Sequence, residues 1–254
     1  MELLITLSGT IGAGKTSWGS KIAEHFGVQL LEEKVNGNPF LAKYYENPKL
    51  YSFHLQVFFL NHRFKAIKEA MAHPNTVLDR SIYEDAMIFA KLQYLNGSMD
   101  EETYQTYLDL HENMMQELHD LYQQQALIKK SPDLLVHVHG SFDEVQRRVR
   151  KRGRDFEQTD NNPELLQYYK DLYKLYDESF VPEYLEHEIS PVYVIDIDKC
   201  DIENPKHVAE VMAGIEKVLR EKRGFAFPEE ALPVNGKTNF ESQLTIFDIL
   251  EEEK

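Results

Sequence analysis

GTIGAGKT, residues Gly9–Thr16, decides the fold, because it matches the pattern G-x-x-x-x-G-K-[ST] at every fixed position. A short run rich in β-forming residues, Glu2–Ser8, precedes it, and a helical pattern from about Lys15 to Phe26 follows. A strand before the loop and a helix after it are the context that a phosphate-binding loop requires. Glycines let the backbone curve with its N–H groups pointing inward, and the helix N-terminus adds positive potential. The stretch therefore predicts a nucleotide-binding site.

Two side chains of this loop carry separate expectations. The ammonium group of Lys15 is expected to reach the β- and γ-phosphates, and the hydroxyl of Thr16 to ligate Mg²⁺. The alternative is a glycine-rich turn that binds no ligand. The motif also fits GTPases, ATPases and small-molecule kinases alike, so other parts of the sequence must choose among them. The predicted phosphate cradle consists of Gly9, Gly12, Ala13, Gly14, Lys15 and Thr16.

Beyond the loop, short apolar runs alternate with helical patterns, which favours an α/β fold with a parallel sheet covered by helices on both faces. Strands are predicted at about residues 2–8, 28–31, 76–79, 134–139 and 191–197. Helices are predicted at about residues 15–26, 48–71, 83–95, 101–125, 143–151, 163–180 and 205–220. From Gly224 the periodicity is broken by Pro, Asn and Gly, so we expect one domain over residues 1–222 and an extended or partly ordered tail over residues 223–254.

The composition excludes several classes of partner. Lys and Arg total 28 against 43 Asp and Glu, which gives a formal net charge of −15. A surface that acidic repels nucleic-acid backbones and anionic lipid, so an anion site must be built locally. The chain shows no signal peptide and no run near the roughly 18 apolar residues that a membrane span needs. The single cysteine, Cys200, is interpreted as a small buried hydrophobe. We expect a cytoplasmic protein without nucleic-acid or membrane partners.

Two acidic segments follow predicted strands at the edge where the crevice of a parallel sheet opens. Glu33 could accept a proton from an attacking hydroxyl, although a solvated surface glutamate is the alternative and Glu32 beside it keeps the assignment open. Asp79 ends the third strand and could hold Mg²⁺. Arg80, the next residue, could pair with a carboxylate or with the transferring phosphoryl group. Alternatively, Asp79 and Ser81 simply cap the following helix.

RRVRKRGR, residues Arg147–Arg154, places six cations in eight residues of an acidic chain. A solvated helix face and a nucleic-acid patch are two interpretations of such a run. The negative net charge argues against polyanion binding. With a phosphate-binding loop present, we interpret the run as a mobile, arginine-rich lid that closes on the nucleotide phosphates.

Taken in order, these segments resemble the signature set of the deoxynucleoside kinase family, whose members phosphorylate deoxyadenosine, deoxyguanosine, deoxycytidine or thymidine. The resemblance covers about residues 3–222 and implies a P-loop kinase fold with ATP and Mg²⁺. It also implies a dimer through long helices, either a homodimer or a heterodimer with a paralogous subunit. Lys34 departs from the family, which often has Pro or Ser there. The matching segments are Gly9–Thr16, Glu33–Val35, Tyr45–Pro48, Phe53–Gln56, Asp79–Ser81 and Arg148–Arg154, with Asn38–Pro39 and Ser81–Asp85 as in several bacterial members.

The resemblance assigns roles in catalysis. It makes Glu33, rather than Glu32, the general base, and Arg80 the residue that steers the 5′-hydroxyl, with Lys15 on the phosphates. Thr16 and Asp79 would hold the metal. The arginines that match the donor-binding lid are Arg148, Arg152 and Arg154.

The resemblance also implies a pocket for a deoxynucleoside substrate. Gln56 would read the base edge with two hydrogen bonds, and Phe89 would stack on the base. Tyr45 and Glu157 would bind the 3′-hydroxyl. A charged pair typical of members that prefer purines or deoxycytidine, and lacking in thymidine-preferring relatives, is matched by Arg63 and Asp85. Deoxyadenosine or deoxyguanosine is therefore the expected substrate, with deoxycytidine weaker.

Two other functions compete with this interpretation. A nucleoside monophosphate kinase would need a second phosphate-binding set of arginines near residues 33–65, where only Arg63 occurs. A non-catalytic nucleotide-binding regulator would need no stacked-base pocket. Near the C-terminus, Gln243–Phe247 resembles the short peptide by which bacterial replication proteins dock on the sliding clamp. The alternative, which we favour for so short a match, is that these apolar residues fold back onto the kinase body or its partner subunit.

Overall fold

Five parallel strands form one sheet in the order β2-β3-β1-β4-β5. The computed structural model describes residues 2–33, 37–154, 157–160 and 162–227. The predicted α/β fold is confirmed, although β1 and β5 are each two residues shorter than predicted, and β2 and β3 are each one residue shorter. The strands are β1 (Leu4–Ser8), β2 (Gln29–Leu31), β3 (Thr76–Leu78), β4 (Leu134–His139) and β5 (Val192–Asp196).

Helices connect the strands and cover both faces of the sheet. A helix lies in each of the seven predicted segments, whereas α2 and α8 were not predicted, because six residues are too few to display a helical period. The helices are α1 (Lys15–Phe26), α2 (Leu41–Glu46), α3 (Pro48–Ala72), α4 (Lys91–Leu95), α5 (Glu101–Gln123), α6 (Phe142–Arg152), α7 (Pro163–Leu175), α8 (Val181–Glu186) and α9 (Pro205–Arg223).

Local signals set many of the helix ends. At α3, α5, α6 and α7 the residue before the helix accepts a hydrogen bond from the backbone N–H three residues on, which satisfies a donor that has no partner within the helix. Those four capping residues are Asn47, Asp100, Ser141 and Asn162. Pro48 and Pro163 occupy the first turn, where a missing N–H costs nothing. Glycines in the left-handed conformation end α1, α6 and α9.

The core divides between the two faces of the sheet. On β1, Leu4 packs with the group that contains Leu60 of α3, whereas Ile5 packs with the group that contains Trp18 of α1 and Ile215 of α9. This alternation follows from the period of two along a strand. Because every residue of β1 is buried, neither face of the strand is exposed to solvent, as is usual in the middle of a parallel sheet.

Two of the predicted helices are interrupted by π-helical turns, at residues 85–90 and 176–180. Such turns shift the register of the side chains and occur frequently at functional sites. The first turn carries Asp85 and Phe89, and the second carries Tyr176, and all three residues lie at or beside the cavity described below.

The last described residues pack against the domain that contains the sheet. Phe227 packs on Phe26 of α1 with ring centroids 5.5 Å apart, and Phe225 stacks on Phe227. Residues 228–254 lie outside the described part of the chain, and so therefore does Gln243–Phe247. Lys34 and Val35 also lie outside it. None of the helices in the described ranges combines the length and apolar character that crossing a bilayer demands.

Candidate active site

A cavity of about 510 Å³ opens at the carboxyl ends of β1, β2 and β3, where the predicted site residues converge. Three predicted site residues, Gly9, Ala13 and Asp85, do not line the cavity. Asp85 nevertheless contacts Arg63, which does line it. The predicted residues that line the cavity are Gly12, Gly14, Lys15, Thr16, Glu33, Tyr45, Gln56, Arg63, Asp79, Arg80, Phe89, Arg148, Arg152, Arg154 and Glu157.

The loop Gly9–Thr16 needs its glycines for steric reasons. Gly9 and Gly12 have φ angles of +137° and +89°. A Cβ atom at Gly9 would lie 2.3 Å from the carbonyl oxygen of Val138, and one at Gly12 would lie 2.5 Å from Cγ2 of Val149. The loop is therefore pressed against β4 and α6, and no larger residue fits these positions without movement of the backbone.

The ammonium group of Lys15 lies inside the phosphate-binding loop, against the backbone of the residues that begin it. It donates hydrogen bonds to the carbonyl oxygens of Gly9 at 2.7 Å and Thr10 at 2.9 Å. Burial lowers the pKa of Lys15 from 10.5 to about 7, and the positive charge of Arg80 acts in the same direction. An anion entering the loop would oppose both effects and favour the charged form.

Thr16 and Asp79, the predicted metal ligands, touch one another. The Thr16 hydroxyl donates a 2.6 Å hydrogen bond to Oδ2 of Asp79. Burial raises the pKa of Asp79, opposed by this hydrogen bond. The other oxygen, Oδ1, is buried and has no hydrogen-bond partner among the described residues. One carboxylate beside one hydroxyl fits Mg²⁺, which usually takes one or two carboxylates and completes its shell with phosphate oxygens and water.

Glu33, the predicted general base, lies between two arginines, and one of them is Arg80, which is predicted to steer the 5′-hydroxyl. Its Oε1 accepts from Nε of Arg63 at 3.1 Å, and its Oε2 accepts from Nε of Arg80 at 3.2 Å. Burial alone would raise the pKa of the Glu33 carboxyl, but the charges of Arg63 and Arg80 outweigh it and lower the pKa to about 2. The carboxyl is therefore ionised at neutral pH.

The predicted base-reading pair is formed, and it is connected to Glu33. Nη1 of Arg63 donates to Oδ1 of Asp85, which is fully buried, and Nη2 donates to Glu33. Burial raises the pKa of Asp85 from 3.8 to about 7, opposed by the charge of Arg63. Phe89 packs under both arginines, 5.3 Å from the guanidinium of Arg63 and 4.8 Å from that of Arg80.

Gln56 lines the cavity with its side-chain oxygen buried and without a hydrogen-bond partner in the described part of the chain. An unpaired buried acceptor of this kind costs about 1–3 kcal/mol, so a donor on a ligand is strongly favoured there. Tyr45 and Glu157 lie in the same cavity, and Glu157 accepts hydrogen bonds from Arg152 and, at 3.3 Å, from Arg154.

The geometry of α6 divides the cationic run Arg147–Arg154 into two groups. Arg148 and Arg152 are four residues apart, so they share a helix face, and with Arg154 they line the cavity. Arg147 and Arg150 are more than half exposed and pair with acidic residues outside the cavity. Three of the six cations therefore lie at the cavity, although Arg152 and Arg154 stay partly open to solvent. Whether this segment moves as a lid stays a prediction.

Several residues at the site carry no assignment from the sequence. Glu84 is fully buried and binds Arg80, and Tyr176 binds both of them. The spacing of Arg80 and Glu84, one helical turn apart, was the available signal for this pair. Nothing local pointed to Tyr176, which lies 96 residues from Arg80 in the chain. The cavity is also lined by Tyr44, Phe59 and Tyr168.

Together, the parallel sheet, the loop with Lys15, and the carboxylate–arginine pair at the strand ends define a P-loop kinase. The family model for deoxynucleoside kinases matches residues 5–220. The chain belongs to the deoxynucleoside kinase family, and it is a phosphotransferase that acts on deoxynucleosides.

Proteins similar to this chain are named for the deoxynucleoside that they phosphorylate. A deoxyguanosine kinase of Lactobacillus johnsonii is 45% identical over 198 residues, which cover 78% of this chain and 84% of the relative. A deoxyadenosine kinase of Lactobacillus acidophilus is 42% identical over 222 residues, covering 87% of this chain and 98% of the relative. Among solved structures, deoxyadenosine kinase from M. mycoides with bound dCTP superposes with a TM-score of 0.66 at 27% identity, covering 85% of this chain and 100% of the other.

Proposed function

We propose that this enzyme transfers the γ-phosphoryl group of ATP to the 5′-hydroxyl of a purine deoxynucleoside, and that it serves nucleotide salvage. Deoxyadenosine and deoxyguanosine are the preferred acceptors, and deoxycytidine is a weaker one. The observation that carries the proposal is the ionised carboxylate of Glu33, held by Arg80 in the same cavity as Lys15. A proton acceptor beside a phosphate-binding loop suits attack by a neutral hydroxyl.

On the acceptor side, Glu33 accepts the proton of the 5′-hydroxyl, and Arg80 orients both groups. The low pKa of Glu33 makes it a weak base, which suits a reaction whose transition state is loose and needs little early proton removal. Most of the catalysis then comes from positioning and charge stabilisation. Tyr45 and Glu157 bind the 3′-hydroxyl and set the direction of the sugar.

The base of the acceptor is recognised by Gln56, Phe89 and the Arg63–Asp85 pair. The unpaired oxygen of Gln56 accepts from an exocyclic amino group, and its own amide nitrogen donates to a ring nitrogen. Arg63 and Asp85 add a charged donor and acceptor deeper in the site. The relatives named as deoxyguanosine and deoxyadenosine kinases support purine preference. The M. mycoides deoxyadenosine kinase was solved with dATP and also with dCTP, which supports keeping deoxycytidine as a further acceptor.

On the donor side, the loop and Lys15 bind the β- and γ-phosphates. Arg148 and Arg152, on the cavity face of α6, close over them as a lid and screen the charge that develops during transfer. Thr16 and Asp79, whose side chains lie in contact, would hold Mg²⁺. When bound, the ion supplies charge neutralisation at the phosphate oxygens.

A nucleoside monophosphate kinase remains the nearest alternative enzyme. It would have to bind an acceptor phosphate where this chain places Glu33. The arginines at that position, Arg63 and Arg80, are already paired with carboxylates, so they do not favour binding of the phosphate dianion of an acceptor. The non-catalytic alternative is excluded by the membership of the enzyme family.

One assay separates these functions. The four deoxynucleosides and their monophosphates are each incubated with ATP and Mg²⁺, and the products are resolved by chromatography. We expect turnover of deoxyadenosine or deoxyguanosine first, deoxycytidine next and thymidine least. Leaving buried polar groups unpaired costs about 1–3 kcal/mol, which corresponds to about ten- to hundredfold discrimination. Thymidine as the best substrate would refute the pocket assignment, and faster turnover of monophosphates would refute the acceptor class.

The quaternary structure is also part of the proposal. We infer a dimer, as a homodimer or with a paralogous subunit, from the family resemblance alone. Sedimentation of the purified chain, with and without the paralogue, tests this inference. A monomer at micromolar concentration in both samples would contradict it.

A further inference from the structure

Glu84 is a fully buried carboxylate that connects three separate parts of the chain. Its Oε1 accepts from Nη1 of Arg80 at 2.9 Å, from the backbone N–H of Gly9 at 3.3 Å, and from the hydroxyl of Tyr176. Its Oε2 accepts from the backbone N–H of Ser81 at 2.8 Å. One side chain therefore holds the first glycine of the phosphate-binding loop, the segment after β3 and the second π-helical turn.

Arg80 is held on several sides by this arrangement. Its Nε contacts Glu33, its plane lies 4.8 Å from the centre of the Phe89 ring, and its Nη1 contacts Glu84 and, at 3.0 Å, the Tyr176 oxygen. Among the described residues, no hydrogen bond uses Nη2. The guanidinium is thus fixed in one plane, with one nitrogen left for a ligand.

Stability alone does not explain a buried, charged cluster of this kind. Replacing buried ion pairs by well-packed apolar residues is often neutral or stabilising, because desolvation offsets the attraction. The contacts instead fix the relative positions of groups that come from distant parts of the chain. In phosphoryl transfer, where the protein contributes mainly positioning, a displacement of about 1 Å can cost about 100-fold in rate.

We propose that Glu84 is a positioning residue, which acts with Tyr176 to hold Arg80 and the start of the phosphate-binding loop in register with Glu33. The acceptor-activating pair and the donor-binding loop then share one anchor, so the distance between acceptor and donor is set by a single buried side chain. This inference rests on the proposed function, because it takes the role of Arg80 from it.

The test compares Glu84→Gln, Tyr176→Phe and Arg80→Lys with a matched control. The control is Asp133→Asn, which alters another buried carboxylate that accepts from a backbone N–H (Leu4, 2.8 Å) and from a cation (Lys129, 2.9 Å), but at the start of β4, away from the cavity. We expect Glu84→Gln to lower kcat about 10- to 100-fold while the KM for the deoxynucleoside changes less than about 3-fold. The control should lower Tm and leave kcat unchanged.

A double-mutant cycle measures whether the effect of Glu84→Gln on kcat depends on Arg80. A merely structural role for Glu84 would give the same effect with and without Arg80. If Glu84 acts through Arg80, Glu84→Gln adds less than about 3-fold in kcat to the loss already caused by Arg80→Lys. Equal losses in both backgrounds would overturn the inference, as would an unchanged kcat in the folded Glu84→Gln enzyme.

Two further outcomes are decided by the same variants. If Glu84→Gln does not fold, Tyr176→Phe, which removes only a hydroxyl, carries the test: a lower kcat at unchanged KM supports the inference, and a wild-type kcat overturns it. If Arg80→Lys has wild-type kcat, the proposed role of Arg80 fails first. If Arg80→Lys is impaired but Glu84→Gln is not, only the inference about Glu84 fails.

Discussion

Replacing Glu33 by Gln tests the centre of the proposed mechanism. The amide keeps the size of the side chain and one acceptor, but it cannot take up a proton. Loss of a general base typically lowers the rate by about 10²–10⁴-fold, which equals about 2.7–5.4 kcal/mol at the transition state. We expect that loss in kcat, with little change in the affinity for ATP, because Glu33 hydrogen-bonds to Arg63 and Arg80 and not to the phosphate-binding loop.

The same substitution has a cost in stability that the structure lets us estimate. The arginines lower the pKa of Glu33 from 4.5 to about 2, and this shift corresponds to about 3 kcal/mol in favour of the ionised form. Glu33 therefore contributes stability that is present above pH 4.5 and lost as the pH falls towards 2. Glu33→Gln should lower Tm by up to about 6–12 °C in a chain of this size at pH 7.

The assay must keep these two effects apart. Steady-state rates are measured at 25 °C, where circular dichroism confirms that the variant is folded, and Glu32→Gln serves as the control on the neighbouring carboxyl. Glu32 also lines the cavity but is exposed. A loss below tenfold for Glu33→Gln would refute its role as general base. An equal loss for Glu32→Gln would transfer that role to Glu32.

Four further predictions follow from the site and the tail. The pKa of Lys15 is about 7, so its amine is mostly neutral at pH 8 and mostly charged at pH 6. Calorimetry in buffers of different ionisation enthalpy should therefore show that ATP binding takes up to about 0.9 proton at pH 8 and almost none at pH 6. Equal proton uptake at both pH values would contradict this pKa. Gly12→Ala should cost about 1–2 kcal/mol in denaturant melts and weaken ATP binding, since its Cβ would meet Val149 at 2.5 Å; wild-type stability would argue against this loop geometry. The triphosphate of the preferred deoxynucleoside should inhibit competitively with ATP, and inhibition insensitive to ATP would exclude that binding mode. Removing residues 237–254 should leave Tm and kcat unchanged if the tail docks on a sliding clamp. In that case a 239–254 peptide should bind the clamp, and Phe247→Ala should abolish the binding. If the tail packs on the body instead, the deletion should lower Tm, because each buried Leu, Ile or Phe contributes about 1.5–3 kcal/mol.

The sequence was sufficient for the elements whose signals are local. The strand, loop and helix around Gly9–Thr16, the helices that begin at Pro48 and Pro163, and the alternation of strands with helices each depend on neighbouring residues, and the structure confirms them. The phosphate-binding motif and the family resemblance together assigned roles to 15 of the 23 cavity-lining residues, because the motifs keep their order in the chain.

The π-helical turns could not be predicted from the sequence. A π turn inserts one residue and shifts the register of the side chains, but it leaves the chain helical on both sides, so residues 83–95 and 163–180 were each predicted as one helix. The consequence is functional, since the turns direct Asp85 and Tyr176 towards the arginines. The short α2 escaped prediction for the simpler reason of its length.

The amino-acid sequence by itself determined the fold class, the phosphate-binding loop and the identity of most polar groups that line the cavity, because these depend on residue type and spacing. Only the tertiary structure decided which charges pair. It placed Glu33 between Arg63 and Arg80, turned three of the six clustered cations towards the cavity, and buried Glu84 against Arg80 and Tyr176. Such pairings join residues up to about a hundred positions apart, and their pKa values depend on burial, which no local pattern encodes.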